Sequence, residues 1–211
     1  MNIIVSGLER SGTSLVMQIL KEGGFPIAFD SSRKADIHNP KGYFELEGGK
    51  IIKAIEKGNF EFNKYTDKAI KVTAYGIEYL PRGDYKVIYI ERDLDEIILS
   101  MDRMAKDPVN REELKEVLYK LNENTKDLMN KSEDIDVLYI KHRNLLTDPE
   151  TEVRRISRFL GGLNIEKALE IIDPKLYRNR AFKTNRRITT EPLTEVEEEL
   201  IRKRLKDLGY L

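Results

Sequence analysis

The feature that most constrains the fold of this chain is its opening strand, turn and helix. Residues Asn2–Ser6 are apolar and β-branched, which predicts a short buried strand that ends at Gly7. Helical periodicity begins at Gly12 or Thr13 and runs to Glu22, where two glycines follow. A glycine-rich turn in this position points backbone N–H groups at one anion, next to the positive end of a helix. The order therefore predicts a phosphate-binding turn at the edge of a sheet.

Further strands and helices alternate along the rest of the chain. Short runs rich in Ile, Val or Tyr predict strands at Ile70–Thr73, Tyr85–Ile90 and Val137–Ile140. Capping patterns predict helices that start after Asn110, Asp148 and Thr194 and end near Asn130, Gly161 and Gly209. This alternation predicts a three-layer, P-loop-type α/β fold whose mostly parallel central sheet has about four to five strands, flanked by helices.

Composition limits the class of protein and of partner. The 211 residues fit one α/β domain, residues 1–211, because no linker rich in Pro, Gly or Ser interrupts them. Basic and acidic residues number 37 each, so net charge favours neither nucleic acid nor an anionic membrane as a partner. With no cysteine, and with His38 and His142 far apart, we expect no metal site. The lack of a leader or a long apolar run predicts a soluble, cytoplasmic protein.

The turn departs from the usual nucleotide-binding motif at one position. Gly7 and Gly12 have the GxxxxGK[ST] spacing, but Thr13 replaces the lysine that reaches the β- and γ-phosphates of a nucleoside triphosphate. The cation lies three residues earlier, as Arg10. The substitution argues against ordinary ATP or GTP hydrolysis. A divergent P-loop kinase-like phosphotransferase and a non-catalytic nucleotide-binding protein remain the alternatives.

The segment Leu8-Glu9-Arg10-Ser11-Gly12-Thr13-Ser14-Leu15 resembles the 5′-phosphosulfate loop of the sulfotransferases that use 3′-phosphoadenosine-5′-phosphosulfate (PAPS), in the form of their bacterial and tyrosylprotein branches. The resemblance implies that PAPS is the co-substrate and 3′,5′-ADP the product. It further implies that Arg10 is catalytic, and that the loop from Glu9 to Ser14 binds the donor through Glu9, Arg10, Ser11, Gly12, Thr13 and Ser14.

A second anion-binding element is predicted at the charged residues that follow the strand ending at Ile90. Arg92 follows that strand, Asp93 can cap the next helix, and Ser100 lies about two turns along it. A cation at the strand end and a hydroxyl on the helix can converge on one phosphate. The segment resembles the 3′-phosphate motif of the same family, with Leu94 in place of the usual proline.

The acceptor side is predicted in the loop Asn39-Pro40-Lys41-Gly42-Tyr43-Phe44-Glu45, which resembles a segment of many bacterial sulfotransferases. The aromatic pair Tyr43 and Phe44 would wall a substrate pocket. Glu45 is the candidate general base, if burial or neighbours raise its pKa toward neutrality. Glu47 and His38 are the rival bases.

Lys71 and a basic segment near the C-terminus complete the predicted site. Lys71 matches the lysine of a Lys-Asp/Thr-Pro motif in the family, which implies a supporting role on the acceptor side. The family often covers the nucleotide with a basic loop, and the corresponding candidates here are Arg178, Arg180, Lys183, Arg186 and Arg187. A solvated basic loop is the alternative for that segment.

The sequence therefore predicts a sulfotransferase that moves a sulfuryl group from PAPS to an acceptor hydroxyl or amine. The acceptor is left open among small molecules, glycans and peptides, because fold and donor site do not fix acceptor chemistry. The oligomeric state is also left open.

Overall fold

The computed structural model describes residues 1–37, 39–104, 110–173 and 191–211. Within them, four strands form one parallel sheet in the order β2-β1-β3-β4. The strands are β1 (Asn2–Ser6), β2 (Ala69–Lys71), β3 (Tyr85–Glu91) and β4 (Ile135–Lys141). The predicted α/β class with a parallel sheet is confirmed.

The helices connect the strands and cover the sheet. They are α1 (Thr13–Glu22), α2 (Ile51–Glu56), α3 (Ala74–Ile77), α4 (Leu94–Asp102), α5 (Arg111–Lys131), α6 (His142–Thr147), α7 (Pro149–Leu160), α8 (Ile165–Glu170) and α9 (Glu195–Asp207). Short 3₁₀ turns lie at Glu47–Gly49 and Phe62–Tyr65. None of the helices in the described ranges is long and apolar enough to cross a membrane.

Alternation along the strands gives the sheet two buried faces and thus three layers. Ile4, Val87 and Tyr89 pack on one side with α2, α3, α4, α5 and α9. Val5 and Ile88 pack on the other side with α1, α6, α7 and α8. Because helices cover both faces of the sheet, a ligand can reach the sheet only at its edges, and open α/β sheets bind ligands at the carboxyl edge.

Local capping fixes where the functional helices begin. The Asp93 carboxylate accepts hydrogen bonds from the N–H groups of Asp95 and Glu96 and so starts α4 directly after β3. Asn110 and Asp148 cap α5 and α7 in the same way, and Thr194 forms a capping box at α9. The predicted caps are confirmed at all four positions.

The stability of the protein should depend on tight packing around β3, one of the two inner strands of the sheet. Replacing the fully buried Ile88 by alanine leaves a cavity, and we expect a loss of about 2–5 kcal/mol in the free energy of unfolding. Val196, which is 72% exposed on α9, is the control, and Val196→Ala should stay within about 0.5 kcal/mol of the parent. Urea denaturation measures both. Equal losses for the two variants would contradict the layer assignment.

Candidate functional site

The glycine-rich turn wraps the start of α1 at the carboxyl end of β1. The Ser11 N–H donates to the Leu8 carbonyl at 3.1 Å, and Arg10 adopts a left-handed conformation with φ 68°. Gly12 has φ 117°, and a Cβ there would lie 2.6 Å from Cδ2 of His142. A side chain at Gly12 would therefore be strained and would collide with its neighbour, which explains the glycine.

The start of α1 and the Ser11 hydroxyl lack side-chain partners among the described residues. No side chain in the described residues caps α1, and the first N–H groups of a helix lack intrahelical acceptors. The Ser11 hydroxyl is buried and has no hydrogen-bond partner in that part of the chain. An anion at the positive end of a helix can accept hydrogen bonds from such donors and from a buried hydroxyl beside them.

The two predicted anion-binding elements meet in the structure. Nε of Arg10 donates to Oγ of Ser100 at 3.0 Å, across 90 residues of sequence. Nη1 of Arg92 donates to the Arg10 carbonyl at 3.2 Å, and its Nε pairs with Glu96 at 3.0 Å. Arg92 therefore braces the turn that carries Arg10, while Glu96 holds the guanidinium in place.

A cavity opens in front of these groups. It is lined by Arg10, Gly12, Thr13, Ser14, Leu15, Gln18, Asn39, Pro40, Arg92, Ser100, His142, Leu146, Asp173 and Tyr210. The predicted donor residues from Arg10 to Ser14, apart from the buried Ser11, thus share one cavity with Arg92 and Ser100. Asn39 and Pro40 of the predicted acceptor loop line the same cavity.

Glu45 and Lys71 form a buried ion pair behind this cavity. Nζ of Lys71 lies 2.5 Å from Oε1 of Glu45 and also donates to Oγ of Ser14 at 3.1 Å and to the Tyr43 carbonyl at 3.2 Å. These three bonds use all three N–H donors of an ammonium. Burial lowers the pKa of Lys71, and the Glu45 carboxylate offsets part of that effect. Arg33 pairs with the second Glu45 oxygen, Oε2, at 3.1 Å.

The other predicted acceptor residues take different places. The Tyr43 hydroxyl donates to Asp36, and its ring is buried under the Arg33 guanidinium. Phe44 packs edge-on against Phe29, with ring centroids 5.1 Å apart. Neither ring lines the cavity in the part of the chain that the structure describes. From the predicted acceptor loop, Asn39 and Pro40 line it instead.

Among the predicted carboxylates, only Glu45 is buried next to the cavity wall. Glu47 is exposed, and its N–H donates to Asp30. Glu9 is buried below the turn near Thr73 and Lys71, and burial raises the pKa of its carboxyl. The Glu9 carboxyl does not line the cavity formed by the described residues. His38, Arg178, Arg180, Lys183, Arg186 and Arg187 lie outside the described residues.

Sequence reasoning missed several residues that the fold brings to the site. His142 begins α6 directly after β4, so it reaches the carboxyl edge of the sheet beside Gly12. Its position after a strand end was the signal available in the sequence. Arg33, Gln18 and Tyr210 arrive through tertiary packing and carried no local signal.

Comparison with known proteins shows the family of the chain and relatives of its fold. A family model described as a sulfotransferase domain matches residues 1–206. No curated protein sequence matches the chain.

Solved structures share the fold at low sequence identity. The sulfotransferase domain of the olefin synthase from Synechococcus PCC 7002 is 16% identical and has a TM-score of 0.56, over 96% of this chain and 93% of that one. The sulfotransferase domain from the curacin biosynthetic pathway is 13% identical, with a TM-score of 0.54, over 100% and 98% of the two chains. A mouse sulfotransferase, SULT7A1 complexed with PAP, is 13% identical with a TM-score of 0.53, over 99% and 84%.

His142 should remain neutral in mildly acidic solution. Burial, aided by the Arg92 guanidinium, lowers the pKa of His142 to about 3. Its ordinary value is about 6.5, so between these two values the unfolded chain binds more protons than the folded one. The contribution of neutral His142 to stability is complete above about pH 6.5 and is lost as the pH falls toward 3.

The parent should therefore lose more stability between pH 7 and pH 5 than His142→Gln does, by up to about 2 kcal/mol. Urea denaturation at the two pH values measures this difference. The imidazole resonance that disappears in His142→Gln should not titrate in the parent above about pH 5. A midpoint near 6.5 for that resonance would contradict the burial argument.

Proposed function

Because the chain belongs to the sulfotransferase domain family, we propose that it transfers a sulfuryl group from PAPS to an acceptor hydroxyl or amine and releases 3′,5′-ADP. The observation that carries the proposal is the convergence of Arg10, Arg92 and Ser100 on one cavity at the uncapped start of α1. We further propose that residues 1–211 work as one domain, since the family model spans nearly the whole chain.

The proposed donor site has two halves. The turn from Glu9 to Ser14 would hold the 5′-phosphosulfate, chiefly through backbone N–H groups and the hydroxyls of Ser11, Thr13 and Ser14. Arg92 and Ser100 would hold the 3′-phosphate, because a guanidinium fork and a hydroxyl together can surround a phosphate. The basic segment with Arg178, Arg180 and Lys183 is proposed to add further contacts to the nucleotide.

The proposed reaction is a direct in-line transfer. The acceptor oxygen or nitrogen forms a bond to sulfur while the bond from sulfur to the 5′-phosphate oxygen breaks. That oxygen leaves with the electron pair, and the acceptor gives its proton to a base. Arg10 would stabilise the negative charge that develops on the leaving oxygen. To reach it, Arg10 must exchange its hydrogen bond with Ser100, at a cost of about 1 kcal/mol.

Glu45 is the proposed base, and its ion pairs restrict how it can accept a proton. Both of its oxygens are held in ion pairs, one with Lys71 and one with Arg33. To take a proton, the carboxylate must therefore loosen one of these contacts. Arg33 is the more exposed partner, since the Lys71 side chain is buried and makes two further hydrogen bonds. We propose that the Arg33 contact is the one released, while Lys71, Tyr43 and Phe44 keep the acceptor loop in place.

Arg92 should distinguish nucleotides by their 3′-phosphate. We expect 3′,5′-ADP to bind more tightly than 5′-AMP, and Arg92→Ala to weaken 3′,5′-ADP binding by about one to two decades, as loss of a charge-assisted contact does. Binding of 5′-AMP should fall less than binding of 3′,5′-ADP, because 5′-AMP has no 3′-phosphate and loses only the support that Arg92 gives to the turn at the Arg10 carbonyl. Arg154→Ala, on the surface of α7, is the matched control. Isothermal titration calorimetry measures the six affinities of the parent and the two variants, and equal parent affinities for the two nucleotides would contradict the assignment.

Arg10 should affect turnover more than donor binding. Removing one preorganised donor to a developing charge typically costs about 10²–10³ in kcat. We expect Arg10→Ala to show a loss of this size in the release of 3′,5′-ADP from PAPS, with 3′,5′-ADP affinity reduced much less. Rates and affinities from the same preparation separate the two effects. Near-parent turnover in Arg10→Ala would remove Arg10 from the mechanism.

A further inference from the structure

Tyr210 reaches the site because of how α9 ends. Gly209 adopts a left-handed conformation with φ 84°, and its N–H donates to the Lys206 carbonyl at 3.0 Å. The N–H of Tyr210 donates to the Leu205 carbonyl at 2.8 Å. These two bonds form the glycine-based helix stop that reverses the chain. The chain reversal places the Tyr210 side chain in the protein interior. Only 4% of the residue's surface is exposed to solvent.

Tyr210 is near both the cavity and the buried ion pair. It lines the cavity together with Arg10, Ser14 and Asn39. The Arg33 guanidinium lies 5.1 Å from the ring centroid and the Lys71 ammonium 5.9 Å. Tyr210 is thus in contact with the cavity and with the two cations that hold Glu45.

Glycine at position 49 makes room for this arrangement. A Cβ on Gly49 would lie 3.0 Å from Cδ1 of Tyr210 and 2.9 Å from Oε2 of Glu45. The tyrosine ring and the carboxylate therefore meet over the same glycine. The proposed base has no cavity-lining atom among the described residues, so Tyr210 is the side chain next to it that an acceptor can touch.

The Tyr210 hydroxyl keeps its proton in this environment. Burial is the main cause that raises its pKa well above the ordinary value, and the negative charge of Glu45 adds to the effect. A protonated phenol is a hydrogen-bond donor as well as an acceptor. An aromatic ring with a polar end is suited to hold a hydroxyl-bearing compound, since it offers both apolar contact and a hydrogen bond.

We infer that Tyr210 is an acceptor-binding residue, whose ring and hydroxyl hold an acceptor that carries hydroxyl groups beside Glu45. This inference rests on the proposed sulfuryl transfer. It assigns to the segment after α9 a part in acceptor recognition, separate from the donor contacts of Arg10, Arg92 and Ser100. Removal of the hydroxyl should therefore weaken acceptor binding and leave donor binding intact.

Tyr210→Phe tests the inference, because it removes the hydroxyl and keeps the ring. Tyr85→Phe is the matched control: Tyr85 is equally buried and donates to the Pro81 carbonyl at 2.9 Å, but it begins β3 at the opposite edge of the sheet. The donor readout is the 3′,5′-ADP dissociation constant. The acceptor readout is label transfer from saturating radiolabelled PAPS into heat-treated extract of the source organism, measured over a series of extract concentrations.

With Tyr210→Phe, the extract concentration for half-maximal labelling should rise about three- to tenfold, as loss of one hydrogen bond predicts. The 3′,5′-ADP affinity of Tyr210→Phe should match the parent, and Tyr85→Phe should match it in both readouts. An unchanged extract dependence, or a loss of 3′,5′-ADP affinity, would overturn the role of Tyr210. Failure of the parent itself to bind 3′,5′-ADP and to label the extract would instead reject the proposed function.

Discussion

The start of α1 is the constraint around which the site is arranged. No side chain among the described residues caps this helix, and the buried Ser11 hydroxyl has no partner among them, although buried donors are normally satisfied. The glycine-rich turn holds the helix start and Ser11 at the carboxyl edge of a parallel sheet, where open α/β sheets bind ligands. Arg10 and Arg92 add positive charge at the same place. An anion would supply the hydrogen-bond acceptors that these groups lack, which is the physical basis of the proposed donor site.

Lys71 links the proposed donor side of the site to the proposed acceptor side. Its ammonium bonds to Ser14 on α1 and to both Tyr43 and Glu45 in the predicted acceptor loop. A buried charge is stable only when it is paired and fully hydrogen-bonded, so displacement of the acceptor loop would leave Lys71 with unmet donors. The ion pair therefore fixes the distance between the loop that would hold the donor and the residues that would meet the acceptor.

Local sequence signals predicted the elements well. Elements that depend on residues close in sequence leave patterns that are visible without the fold. Examples are the strand, turn and helix at the N-terminus and the caps Asp93, Asn110 and Asp148. Strand ends were less accurate. The predicted strand Ile70–Thr73 stops at Lys71, because Thr73 already precedes α3.

The surroundings of Glu45 were predicted less completely, because they are built from contacts between distant segments. The sequence named Glu45 as a candidate base, but its pairing with Lys71 spans 26 residues and its pairing with Arg33 depends on the path of the loop. Tyr210 comes from the far end of the chain. The pattern around it indicated only a helix stop at Gly209, and no local periodicity shows which way the next side chain turns.

Group transfer from two labelled donors tests the central claim most directly. The protein is incubated with heat-treated extract of the source organism, in which the organism's own kinases and sulfotransferases are inactive, and with either radiolabelled PAPS or ATP–Mg²⁺ labelled at the γ-phosphate. Sulfuryl transfer predicts that label from PAPS enters a product while 3′,5′-ADP is released in equal amount, and that label from ATP does not enter. Transfer from ATP without transfer from PAPS would contradict the claim and identify the chain as a phosphotransferase built on the same turn.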